Sequence, residues 1–287
     1  MVLVSTFRAV ALAVLLPTIL PGAAFPAAGK VGEAGERIAT AWDDFRMGEF
    51  NRAVTGFEIA VAWAKDQPEL KLKALYGLAC ALSLKTPDPD RERAVKVYSD
   101  VLAAAPDGEL APWCMLALAR MKHVVEVGQD PDYAEVRKAY QAVIDKYPFH
   151  QAGEEAFIYQ QSTYVLSLER RDAETALAAL KVFLAAHEAS RLKSPAWGLM
   201  AECYQTMGNP EEQLKCAIRA LETKEMDPTN PVADNAEAFW KLATLAEFQV
   251  GDAVTASKYY GLLLKDYPTD ARRYAAEQGL LRLKGRK

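Results

Sequence analysis

The sequence predicts an all-α chain, an α-solenoid of about six helical hairpins with a C-terminal capping helix. Three observations carry this. The segments "YSDVLAAAP" (98–106), "YQAVIDKYP" (140–148) and "YGLLLKDYP" (260–268) each set a proline eight positions after a tyrosine, with apolar residues between. Counting from these tyrosines, an anchor series runs Phe57, Tyr98, Tyr140, Leu180, Ala217, Tyr260, in steps of 41, 42, 40, 37 and 43. Four positions before each anchor stand Ala53, Ala94, Val136, Ala176, Gln213 and Ala256, and three after stand Ala60, Val101, Val143, Phe183, Ala220 and Leu263. Spacing of i, i+4, i+7 is one face of a helix. A self-similar period of this length marks stacked supersecondary units, none of which buries its apolar face alone.

Taken in order, the chain opens on "MVLVSTFRAVALAVLLPTILPGAAFPAAGK", with Arg8 ahead of an apolar run and small residues after it. That order is the pattern of a secretory signal peptide. The run is broken by Pro17 and falls short of the roughly 20 residues of a membrane span. Residues 1–24 are expected as a cleaved signal, with cleavage after Ala28 the alternative, and 25–35 as a flexible leader. No cysteine precedes Cys80, so lipid attachment at the cleavage point is not expected, and the mature chain is expected to be soluble, in a periplasmic or extracellular compartment. Hairpins then fill 36–283. "AWDDFRMGEFNRA" (41–53), "AECYQTMGNPEEQ" (201–213) and "LAEFQVGDAVTA" (245–256) each run helix, Gly, polar residues, helix, so Gly48, Gly208 and Gly251 suit a left-handed residue that ends the first helix of a pair. Pro106, Pro148 and Pro268 stop the second helix. "KTPDPDRE" (85–92) and "VGQDPDY" (127–133) are loop insertions within pairs, and "TKEMDPTNPVADN" (223–235) is a longer connection between them. "ARRYAAEQGLLRLKGRK" mixes apolar and basic residues as a terminal cap needs, one face buried and one wet. Residues 284–287 form a basic tail.

These residues resemble the tetratricopeptide repeat family. Trp240, Gly251, Ala256, Tyr260 and Pro268 follow its series, as do Trp197, Tyr204, Gly208, Ala220 and, displaced, Pro228. Gly48, Phe50, Ala53, Phe57 and Ala60 form an N-terminal copy; Tyr133, Val136, Tyr140 and Pro148 form a third; the copy around Ala176, Leu180 and Phe183 is degenerate. The resemblance spans roughly 33–283 with a period nearer 41 than the family's 34. "YQAVIDKYPFHQAGEEA" and "YYGLLLKDYPTDARRYAA" are also similar to exported bacterial repeat proteins of the BamD and YbgF-like kind. The resemblance implies a non-catalytic scaffold or adaptor, without cofactor, that binds another protein in its concave groove, in envelope or outer-membrane maintenance. The alternative is a structural repeat domain that self-associates into a homo-oligomer.

Composition excludes several classes. With 34 basic and 38 acidic residues and no Lys/Arg block, a nucleic-acid surface is not expected. His123, His150 and His187 are isolated, and no cysteine pair has CxxC spacing, so neither metal nor redox motif is expected. Cys80 and Cys114 read as buried thiols; Cys203 and Cys216 fall on two helices of one hairpin and stand either as free thiols or as a pair. "GKVGEAG" (29–35) lacks the Lys-Ser/Thr ending of a phosphate loop, and no nucleophile elbow occurs, so no enzyme is expected. Trp113, Trp197 and Trp240 fall at the family's large core position. Trp42 is out of phase with them, and lies with Phe45 and Arg46 on the side expected to line the inner groove. The same placement turns Lys122, Gln161, Glu202, Gln205, Lys241, Phe248 and Gln249 inward, with Met121 and Leu245 adding apolar surface. Such a lining of aromatic, amide and charged groups suits an extended peptide or a partner helix.

Overall fold

A computed structural model describes residues 32–125, 128–225 and 235–285. The expected signal segment and most of the leader, the greater part of the 223–235 connection and the last two residues of the tail lie outside these. Among the described residues there are thirteen α-helices and one π-helical turn, and no strand. The helices are α1 (Glu33–Arg46), α2 (Phe50–Trp63), α3 (Pro68–Leu84), α4 (Arg91–Ala104), α5 (Ala111–His123), α6 (Tyr133–Lys146), α7 (Gln151–Val165), α8 (Arg170–Ala186), α9 (Lys193–Thr206), α10 (Pro210–Glu222), α11 (Ala236–Leu245), α12 (Ala253–Asp266) and α13 (Arg273–Lys284). The π turn, Ala246–Val250, continues α11. The order is that of six helix pairs and a final single helix. None of the described helices is long and apolar enough to cross a membrane.

The described helices gather into two compact units that divide between Met121 and Lys122. In the first, α1 packs on α2, α2 on α3 and α3 on α4, and α1 also touches α3. In the second, α6 through α10 pack successively, α7 touches α9, and α11, α12 and α13 follow. Anchors and their small companions make these contacts. Ala53, Ala94, Ala176 and Ala256 are wholly buried, as are Phe57, Tyr140, Leu180 and Tyr260. Small residues let neighbouring helices approach, and the large ones fill the space beyond. α7 has no such partition. Its buried residues, among them Ala152, Ala156, Ile158, Gln160, Gln161 and Thr163, cover most of its circumference, because neighbouring helices enclose it.

Turn chemistry follows the sequence. Gly48, Gly208 and Gly251 have φ of 79°, 70° and 79° and close the first helices of their pairs, a conformation that costs a Cβ-bearing residue steric strain. Asp90, Asp132, Asn209 and Asp252 cap the second helices, each accepting from a backbone N–H of the first turn.

In the second unit Glu154 joins three elements. Its carboxylate lies 2.9 Å from His187 Nδ1 and accepts from Ser190 Oγ at 2.6 Å, tying the α8–α9 connection to α7. The last helix is held likewise: Arg282 donates twice to the buried Glu247, at 2.9 Å each, and Tyr260 Oη donates to the same carboxylate at 2.8 Å.

Candidate functional site

Six of the residues expected in a groove come together in the second unit. Glu202 and Gln205 on α9, Lys241 and Leu245 on α11, and Phe248 and Gln249 in the π turn line one open cleft of about 660 Å³. That is within the range of roughly 300–1,000 Å³ typical of ligand sites. Helix period explains the walls: Glu202 and Gln205 are three apart on α9, and Lys241 and Leu245 four apart on α11. The floor is α10, through Gln213, Ala217 and Ala220, with Gly198 and Ala201 of α9 and Ala238 of α11 beside it.

The π turn sets the last wall. Its wider winding is followed by the left-handed Gly251. Here Glu247 faces the core while Phe248 is 62 % exposed. Arg282, anchored on Glu247, lies over the Phe248 ring at 5.4 Å and holds it at the cleft rim.

Lys224 Nζ donates to Asn235 Oδ1 at 3.1 Å, and Lys241 pairs with Glu237 at 2.6 Å one turn back on α11. Glu202 is solvent-exposed at the cleft; partial desolvation there raises its carboxyl pKa above the ordinary value, and Lys241 pulls the other way. Amides of Gln205, Gln213, Gln249 and Asn235 supply donors and acceptors together.

The other expected groove residues are elsewhere. Phe45 is 3 % exposed and belongs to the buried stripe Ala34, Ile38, Ala41, Phe45 of α1. Trp42 is half-buried at the edge of that stripe, edge-on to Phe45 at 5.2 Å and to Phe57 at 5.1 Å. The phase taken from later tryptophans does not transfer to α1, whose stripe starts from Ala34, so these two rings are core and not groove wall. Arg46 is exposed and ion-paired with Asp43. Gln161 is 3 % exposed, and its Nε2 donates to Gln160 Oε1 at 3.1 Å, because α7 is enclosed by its neighbours. Met121 is half-buried at the end of the first unit; Lys122 is exposed in the second and stands 3.8 Å from Glu135.

The remaining histidines and cysteines take separate positions. Among the described residues no three His, Cys, Asp or Glu side chains are grouped so as to hold a metal ion. His123 Nδ1 lies 3.1 Å from Tyr140 Oη, and His150 Nδ1 accepts from Ala152 N at the start of α7. All four cysteines are free and buried, and burial pushes Cys80, Cys203 and Cys216 up to about 11 and Cys114 to about 12.

Gln213, Ala217, Ala220, Lys224 and Ala238 were not expected at the site. A signal for three of them is present in the sequence: Ala217 is the smallest member of the anchor series, and Gln213 and Ala220 are its companions.

No family model matches the chain, and no curated protein matches it. Among solved structures it is similar to PilF of Pseudomonas aeruginosa, at 13 % identity over 88 % of this chain and 97 % of that one, with a TM-score of 0.54. It is similar to PilW, described as a widely conserved type IV pilus biogenesis factor, at 18 % identity over 89 % and 99 %, TM-score 0.54. It is also similar to Acl4, an assembly chaperone of RpL4, at 14 % identity over 89 % and 98 %, TM-score 0.50. At such identities the likeness is one of fold alone. The all-α architecture of successive helical hairpins, expected from the phased anchors, is the one this chain adopts.

Proposed function

We propose that this chain is a non-catalytic scaffold, exported from the cytoplasm, that holds a segment of another protein in the α9–α11 cleft. The observation that carries the proposal is the convergence of an exposed aromatic, four amides and three charged side chains on one open cleft with an apolar floor. Amides on facing helices meet the alternating donors and acceptors of a peptide backbone, and an aromatic at the rim is a usual anchor of interface energy. Export is supported by the charge, apolar run and small-residue order of residues 1–24. An envelope role is supported by the similarity of "YQAVIDKYPFHQAGEEA" to BamD and YbgF-like repeat proteins. PilW, of like fold, is described as a pilus biogenesis factor, and assembly of an envelope structure is the corresponding role proposed here.

The test is to replace Gln249 with a photo-crosslinking phenylalanine analogue and irradiate the full chain in envelope extract. One specific adduct is expected, lost in Lys241→Glu and Phe248→Ala at unchanged thermal midpoint. An adduct indifferent to both substitutions, or none, overturns the reading. A second reading, self-association, is favoured by exposed Tyr274 and Leu281, seven residues apart on α13. Sedimentation of the full chain and of Leu281→Lys separates it: a dimer abolished by the substitution would support it.

A further inference from the structure

In five of the six pairs a large anchor on the second helix closes the gap between helices. Phe57 of α2 lies directly against Gly77 of α3, where an added Cβ would stand 2.3 Å from the ring. Tyr260 of α12 lies in the same way against Gly279 of α13, at 2.6 Å. Each ring also meets an indole of its own first helix, Trp42 at 5.1 Å and Trp240 at 5.7 Å. Tyr140 stacks on Tyr159 of the following helix at 5.8 Å. Tyr98 and Leu180 are buried. The ring is thus a wedge among three helices, and the glycine opposite leaves it room.

The fifth pair has no wedge. Its anchor is Ala217, half-buried on α10, and its companions are Gln213 and Ala220. Ala217 borders both apolar clusters of this unit, one built mainly from α7–α9 and the other from α11–α13. At this seam the 660 Å³ cleft opens, with Gly198, Ala201 and Ala238 on the flanking helices. On the following helix, where Gly77 and Gly279 stand opposite rings elsewhere, Ala238 borders the gap here, and the second helix supplies no ring.

We infer that the cleft takes the ring from its partner: a peptide segment of another protein seats an aromatic side chain over Ala217, with a carboxylate beside that residue in the segment. The inference rests on the peptide-binding reading above and specifies its ligand. Shape selects the aromatic, since four of the five filled gaps in the same chain hold tyrosine or phenylalanine and the fifth holds Leu180. Charge selects the carboxylate. Of the two ammonium groups of the lining, Lys241 is already paired with Glu237 at 2.6 Å, while Lys224 meets no carboxylate among the described residues. Lys224 is bonded to the neutral amide of Asn235, so a ligand carboxylate adds an attraction that this bond does not supply.

The experiment titrates the full chain with three capped tripeptides, acetyl-Asp-Tyr-Gly-amide, acetyl-Lys-Tyr-Gly-amide and acetyl-Asp-Ala-Gly-amide, followed by NMR shift changes. The first is expected to bind at least tenfold more tightly than the third and several-fold more tightly than the second. Ala217→Tyr, which supplies the ring from within, is expected to keep or raise the thermal midpoint and to weaken the first peptide at least tenfold. Ala238→Phe blocks the same space from the facing helix and should act alike. Equal binding of the tyrosine and alanine peptides to the parent chain overturns the inference, whether or not either variant folds. So does undiminished binding to a folded Ala217→Tyr. Envelope crosslinking at position 249 that survives in Ala217→Tyr would leave the scaffold reading standing and remove the aromatic anchor alone. Loss of both crosslinking and peptide binding in the parent chain removes the two together.

Discussion

Ala256 is 0 % exposed at a helix crossing, with Tyr259, Tyr260 and Leu263 in the same cluster. Ala256→Leu is therefore expected to destabilise the chain by roughly 1–3 kcal/mol through overpacking, read from the denaturation midpoint. Trp42 and Phe248, both first taken for groove aromatics, should part company. Trp42→Ala removes an indole from contact with three rings and is expected to cost about 2–3 kcal/mol, the low side for a ring that is only half-buried. Phe248→Ala should stay within about 0.5 kcal/mol, as exposed positions do. Glu202 gives a pH signature. Partial desolvation at the cleft, in a side chain that stays solvent-exposed, holds its pKa above the ordinary value, so the native chain keeps a proton that the unfolded chain has released, and stability falls by a solvent-screened amount as pH rises through that interval. Glu202→Gln removes the penalty, and the variant is expected to gain on the parent in thermal midpoint between acid and neutral pH. A gain in the opposite direction would place the carboxylate in an environment that favours its charge.

At the scale of the element, caps and latches decide stability. Asp252 accepts from Val254 N and Thr255 N and from the Thr255 hydroxyl, and the Thr255 bonds are the main cause of its lowered pKa. Asp252→Ala is expected to cost about 1 kcal/mol. This contribution is present above the ordinary carboxyl value and is lost as pH falls through the lowered one, so parent and variant should converge in acid. Glu247 is a different case. Its side chain is fully enclosed and satisfied by Arg282 and Tyr260. Glu247→Ala leaves a buried hydroxyl without that acceptor and frees α13 at its far end. With Arg282 able to rehydrate, a loss of about 2–3 kcal/mol is expected. Hydrogen exchange should then rise in α13 before any other helix of the unit.

For the whole molecule, much of the fold was legible because it repeats. Six anchors in register, glycines at the pair turns and prolines after the second helices each state the same local event, and helix α8, read from a degenerate copy, lay where its anchor Leu180 placed it. The candidate site was legible in its second half only. Residues on α9, α11 and the π turn were assigned from tryptophans within their own unit, Trp197 and Trp240. Phe45 and Gln161 were misplaced by carrying that phase onto α1 and α7. The π turn at Ala246–Val250 had no signal in the pattern, which reads through it to Gly251 as ordinary helix.

The sequence by itself determined what depends on neighbours along the chain. That includes which segments wind as helices, where a left-handed glycine or a proline ends them, and which face of each second helix carries the packing residues, since these follow from backbone sterics and a period of 3.6. Only the tertiary structure decided which first-helix faces stay open. Exposure depends on helices far apart in sequence: α7 is enclosed by its neighbours, while α9 and α11 flank an open cleft with Ala217 of α10 on its floor. An alanine in the anchor series reads along the chain as a weak copy of the repeat. Between three helices it is a small side chain on the floor of an open cleft.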